Sequence, residues 1–209
     1  MMQDRSPPEV ARVAALSDGI FAIALTLLVV QIHLPELPSP ATDAQLADAL
    51  WAAAPGIFAY ALSFLVIGRY WMAHRRIFDH VQRADHYTVR INLLFLVLVS
   101  FMPVPTFVLG IYGYLRGAVI FYAASAAATG LMLVLLSWYA HRCRTVDGGP
   151  TEPGKWLLGS WRLWLVPAFF LLSILLAVLI PAAVRVVWLL VPLTYVLPER
   201  VCWPWWMRQ

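Results

Sequence analysis

The sequence predicts an all-α integral membrane protein with six transmembrane helices per subunit and both termini cytoplasmic. Three observations lead there. Of the 209 residues, 62% are hydrophobic and only 12% are charged, against about 45–50% and about 25% in soluble domains. One soluble core cannot bury that surplus. The charges are gathered into short intervals between long charge-free stretches, and the basic residues fall almost entirely on alternate intervals, the bias that orients membrane helices.

The charge-free stretches run over 19–35, 49–68, 91–115, 117–141, 163–184 and 186–198. About 20 mostly apolar residues cross the hydrocarbon and about 17 still suffice, so the first five qualify directly. The sixth is short, but Arg185 can snorkel at one end, and Trp203, Trp205 and Trp206 form an interfacial belt at the other. With their flanks, helices are expected over roughly 12–34, 49–78, 88–110, 114–141, 161–181 and 184–203, as one six-helix transmembrane domain over 1–209. Asp4 and Glu9 precede the first apolar run and no small-residue cleavage site follows, so it reads as an uncleaved helix. Pro103 and Pro105 should kink the third helix or end it, since each lacks an N–H. The segments 34–40 (LPELPSP) and 147–154 (DGGPTEPG) read as loops.

Orientation comes from the 15 Arg and Lys residues. Arg5, Arg12, Arg69, Arg75, Arg76, Arg83, Arg90, Arg142, Arg144, Lys155, Arg162, Arg200 and Arg208 lie on one side, and Arg116 and Arg185 on the other, whose first loop carries Glu36, Asp43 and Asp48. Cytoplasmic termini require an even number of crossings, and six satisfies every loop.

Several function classes drop out. The net charge of +4 forms no basic stripe, so no nucleic-acid partner is expected. Cys143 and Cys202 have no metal-site or redox spacing. No polar connection is long enough to fold alone. No phosphate loop, dinucleotide fingerprint or nucleophile elbow occurs, and the fourth helix lacks the spaced arginines of a voltage sensor. The string LGIYGY at 109–114 lacks the threonine-valine lead of a carbonyl filter and reads as an outer turn. His74, Asp79, His80, Asp85 and His86 invite a metal-dependent enzyme, since His74 and the Asp79/His80 pair could share a helix face. No zinc motif fixes a geometry there, and a salt-bridged helix end explains them better. His33, at the outer end of the first helix, reads as interfacial.

The first helix carries the functional signal. Ser17 and Asp18 open an apolar span, where a carboxylate is costly unless paired, making Asp18 a site candidate. Ile23, Leu27 and Val30 fall within roughly 40° of one another on the helical wheel, Thr26 about 60° aside, and Asp18 about 140° from Ile23. The stripe and the polar pair therefore face different neighbours. A shared axis between subunits would let the branched side chains constrict and dewet a pore, with Thr26 adding a hydroxyl ring. On the residues alone, ordinary helix packing with Asp18 capping or pairing is the simpler account. A secondary transporter using Asp18 is a rival, although no duplicated motif or broken helix marks one.

The run Arg12-x-x-x-Leu16-Ser17-Asp18-Gly-Ile-Phe-Ala-Ile23-Ala-Leu-Thr26 resembles the R-x-x-x-F-S-D signature that opens the first helix of prokaryotic members of the transmembrane protein 175 family of potassium channels. The run from Asn92 to Thr106, through Pro103 and Pro105, is similar to that family's third helix, and Trp71 and His74 match its tryptophan and histidine at the end of helix two. The resemblance implies a homotetramer in a bacterial plasma membrane, surrounded by lipid, passing monovalent cations (potassium foremost) through a pore lined by helix one, with no cofactor and no metal site. It implies Ile23 as the narrowest ring, Leu27 and Val30 as further lining, and Thr26 as the ring associated with selectivity. Ser17 and Asp18 would belong to a polar network with Arg12, Trp71, His74 and Asn92. Leu16 departs from the signature's phenylalanine.

Overall fold

A computed structural model of the chain describes residues 8–142 and 161–179, together with 184, 187 and 188. Its elements are helices: α1 (Pro8–Val30), α2 (Asp43–Phe78), α3 (His86–Phe101), α4 (Pro103–Tyr112), α5 (Arg116–Arg142) and α6 (Trp161–Leu179). Four described spans are long and apolar enough to cross a membrane: Glu9–Val30, Asp43–Phe78, the continuous α3–α4 stretch His86–Tyr112, and Arg116–Arg142. Of α6, the apolar part Leu163–Leu179 is shorter. The expected sixth helix lies outside the described residues apart from Val184, Val187 and Trp188, as does the expected loop at 147–154.

The boundaries differ from the hydropathy reading for local reasons. α1 is described from Pro8, the first of the described residues and four before the expected start at 12. It ends at Val30 instead of continuing to 34, because Pro35 disfavours helix at the residue before it. α2 starts at Asp43, not 49. Thr42 caps it, accepting from the Gln45 N–H while the Gln45 side chain returns to the Thr42 N–H. At about 1.5 Å per residue, its 36 residues exceed a hydrocarbon core of about 30 Å, so it projects beyond the bilayer. The third span breaks at Met102, directly before Pro103, into α3 and α4.

α5 packs chiefly on α6 and on α3 and α4, while α1 lies against α2 and α3 at the edge of the bundle. Polar pins cross the buried interfaces. The Tyr70 hydroxyl donates to the Ala126 carbonyl at 2.7 Å. Ser63, Thr106 and Tyr122 join α2, α4 and α5 through hydroxyl contacts of 2.8 and 3.0 Å. The backbones of α2 and α4 approach closely at Gly56 and Gly110, where a Cβ on Gly110 would stand 3.2 Å from the Gly56 Cα.

Candidate functional site

α1 has two faces. Val10, Ser17, Phe21, Ala24 and Leu28 recur at helical spacing and are buried against α2 and α3. The opposite side is left uncovered by the chain itself: Ile23 is 60% exposed, Leu27 47% and Val30 73%, with Thr26 exposed beside them. The Thr26 hydroxyl donates back to the Ile23 and Ala22 carbonyls at 2.9 and 3.1 Å. Its proton is thus used inside the helix, and the oxygen lone pairs remain for an outside partner.

About two and a half turns before Thr26, α1 is tied down. Ser17 is fully buried and its hydroxyl donates to the Val13 carbonyl at 2.9 Å. The same oxygen accepts from the Asn92 side-chain amide at 3.1 Å, and the Asn92 carbonyl oxygen faces His74 Nε2 at 2.8 Å. A three-residue chain therefore links α1, α3 and α2 in the interior. His74 is stacked on Phe78 and Phe95, with ring centroids at 4.5 and 5.5 Å, and Phe21 of α1 leans on it at 5.7 Å. Composition and periodicity did not flag this aromatic cage. Its signal was the spacing of Phe21 four residues after Ser17 and of Phe78 four after His74, which puts each ring one turn from a polar anchor.

Asp18 departs from the expectation of a buried carboxylate. It is exposed, because residue 18 lies about 100° around the helix from the buried Ser17. It is still paired: Trp71 Nε1 donates to its Oδ1 at 2.8 Å. Trp71 also lies under the Arg75 guanidinium, 5.8 Å from the ring centroid. The structure thus brings Ser17, Asn92 and His74 together and sets Asp18 with Trp71 at the rim. Arg12 is exposed, and among the described residues nothing joins it to either arrangement.

The histidine–aspartate cluster also separates. His74 is buried inside α2, whereas Asp79 and His80 are exposed in the turn that follows the end of α2 at Phe78. His80 Nδ1 lies 2.8 Å from the Arg76 carbonyl. Asp85 caps α3, accepting from the Thr88 N–H at 2.7 Å and from the Tyr139 hydroxyl at 2.6 Å. Among the described residues, no three His, Cys, Asp or Glu side chains converge on a metal position. His33 packs edge-on against Phe107 beside a cavity of about 760 Å³ between α1, α2 and α4.

Apolar spanning helices, pinned by buried hydroxyl and amide pairs and with one helix face left uncovered, define a multi-pass helical membrane protein. Residues 12–103 match the family described as the endosomal/lysosomal potassium channel TMEM175. The chain is 39% identical over 140 residues to a potassium channel of Streptomyces collinus, covering 64% of this chain and 66% of that one. It is 40% identical over 112 residues to a potassium channel of Chamaesiphon minutus, covering 54% and 55%. The matches thus span less than two thirds of these relatives' lengths. In three dimensions the chain is similar to the crystal structure of a lysosomal potassium-selective channel TMEM175 homolog from Chamaesiphon minutus, with a TM-score of 0.74 and 29% identity over 90% of this chain and 98% of that one. A mouse relative described as the endosomal/lysosomal proton channel TMEM175 is 38% identical over 104 residues, 47% of this chain and 21% of that one. Over residues 12–103 the chain is thus similar to the TMEM175 family, and the relatives it matches are described as channels and not as enzymes.

Proposed function

We propose that this chain is the subunit of a potassium-permeable cation channel that assembles as a homotetramer, with α1 of each copy facing the shared axis. The observation that carries the proposal is the division of α1: one side is anchored through Ser17 and Asp18, and the other offers Ile23, Thr26, Leu27 and Val30 with little cover from the chain itself. Around an axis, Ile23 forms the narrowest ring and Leu27 and Val30 extend it, excluding water from an empty pore. Thr26 presents oxygen lone pairs to the permeating ion. Selectivity for potassium is modest, because rings of side chains replace a hydration shell less completely than stacked carbonyls. Six crossings with cytoplasmic termini, in the plasma membrane of a bacterium, fit the distribution of Arg and Lys. Nothing beyond lipid, further copies of the chain and monovalent cations is needed.

The test is potassium flux and reversal potential in reconstituted liposomes. Ile23→Asn and Ile23→Ala should each raise flux, and Ile23→Cys should cross-link between copies. Unchanged flux and selectivity, with no cross-link, would overturn the reading. Proton permeation is a second reading, favoured by the mouse relative's description; an imposed pH gradient, without potassium, measures it in the same vesicles.

A further inference from the structure

Arg90 and Arg142 belong to different helices, and each lies over an aromatic ring near the place where those helices meet. The Arg90 guanidinium lies 5.7 Å from the centroid of Tyr87, and that of Arg142 lies 5.6 Å from the centroid of Trp138. Tyr87 meets Tyr139 at 6.2 Å between centroids, and the Tyr139 hydroxyl is bound to Asp85 at 2.6 Å. The start of α3 and the end of α5 are therefore latched together, and each of the two ends carries one ring-stacked arginine. Tyr87 is 60% exposed and Trp138 38%, and both arginines are exposed. Among the described residues neither arginine has a carboxylate partner. The nearby Asp85 directs its two oxygens to Thr88 and Tyr139.

Position supplies the second argument. Arg90 immediately precedes the charge-free stretch 91–115, and Arg142 immediately follows 117–141. In a chain whose helices span the bilayer, both mark the level where hydrocarbon gives way to headgroups, the depth at which Tyr and Trp are also enriched. A guanidinium stacked on a ring keeps its in-plane N–H groups free, and that edge matches the two free oxygens of a phosphodiester. A zwitterionic lipid brings its own ammonium to the phosphate and gains less from the pair of arginines.

We propose that Arg90, over Tyr87, and Arg142, over Trp138, form a binding site for the headgroup of an anionic phospholipid between α3 and α5. The site stands apart from α1 and does not depend on what the pore conducts. Native mass spectrometry of the purified full chain, equilibrated with equal amounts of phosphatidylglycerol and phosphatidylcholine, reads it directly. The unmodified protein should retain phosphatidylglycerol preferentially, and R90Q/R142Q should cut that preference about 25-fold, each basic residue near a membrane surface contributing about fivefold. R116Q, at the opposite end of α5, should leave it unchanged. Glycerol 3-phosphate should not displace the lipid, which separates a membrane site from one for a soluble phosphate. Should the double variant fail to fold, as judged by circular dichroism and elution volume, R90Q and R142Q singly should each lower the preference about fivefold. Equal retention of the two lipids by the unmodified protein overturns the proposal. So does a variant that loses thermal stability while keeping the same lipid ratio, and so does displacement by glycerol 3-phosphate.

Discussion

The Ser17–Asn92–His74 chain is best tested by breaking it in two different ways. Asn92→Leu keeps the branched side-chain shape but removes the acceptor of the His74 Nε2–H and the donor to Ser17. Ser17 still donates to Val13, so it is not orphaned. His74 is, and leaving a buried donor unsatisfied costs about 1–3 kcal/mol. The lost bond to Ser17 adds about 0.6 kcal/mol, the average for side-chain hydrogen bonds inside membrane proteins. At about 2–4 °C per kcal/mol for a chain of this size, Asn92→Leu should lower the melting temperature in detergent by about 3–14 °C. Adding His74→Phe then removes the orphaned donor and keeps a ring stacked on Phe78 and Phe95. The double variant should recover about half the loss, because replacing both partners of a buried pair by apolar groups is far cheaper than removing one. A thermal-unfolding double-mutant cycle measures this coupling. If His74→Phe instead adds a penalty of its own on top of Asn92→Leu, the chain of bonds does not exist as described.

Two further outcomes follow from local geometry. Burial raises the Asp85 pKa, but the hydrogen bonds from Thr88 and Tyr139 outweigh it and hold the carboxyl below its ordinary range. A depressed folded-state pKa means that this stabilisation is present above the unfolded value of about 3.9 and is lost as pH falls through the lower folded value. The difference in thermal stability between the unmodified protein and Asp85→Asn should therefore be constant near neutrality and shrink below about pH 4; a gap that persists to low pH refutes the assignment. Among the glycines, Gly110→Ala drives a Cβ to 3.2 Å from the Gly56 backbone and should cost about 1–3 kcal/mol, whereas a Cβ on Gly56 meets nothing within 4 Å. Gly56→Ala should be neutral or stabilising, and the reverse ranking in thermal unfolding would show that α2 and α4 do not approach as described.

Hydropathy and charge made the spanning segments legible, because a residue's transfer cost depends on its own chemistry. Helix ends were less legible where a local bond decides them. The capping box of Thr42 and Gln45 lies in a polar stretch that hydropathy counting discards, so α2 was expected to begin at 49 and begins at Asp43. Pairing across helices was harder still. The wheel separates Asp18 from Ile23 by arithmetic, yet nothing in the sequence says that Ser17 meets Asn92, 75 positions away, and not the adjacent Asp18. The resemblance of the α1 segment to a known signature supplied the candidates for that network, and among the described residues the geometry leaves Arg12 out of it. His74 shows the converse: grouped by type with His80 it suggests a metal site, while its burial among three phenylalanines makes it a packing and hydrogen-bonding residue.

The same division of α1 separates two readouts that are often entangled in membrane proteins. Ser17, Phe21, Ala24 and Leu28 hold the helix to its own chain, so substitutions there act on stability. Ile23, Leu27 and Val30 add little packing within the chain, so substitutions there act through whatever lies opposite. If lipid lies opposite, Ile23→Asn places an amide in hydrocarbon, which is unfavourable, and leaves ion flux untouched. If three other copies of the same helix lie opposite, Ile23→Asn wets a constriction and flux rises while the melting temperature of the subunit barely moves. Flux and melting temperature measured together on one preparation therefore distinguish a lipid-facing stripe from a pore lining.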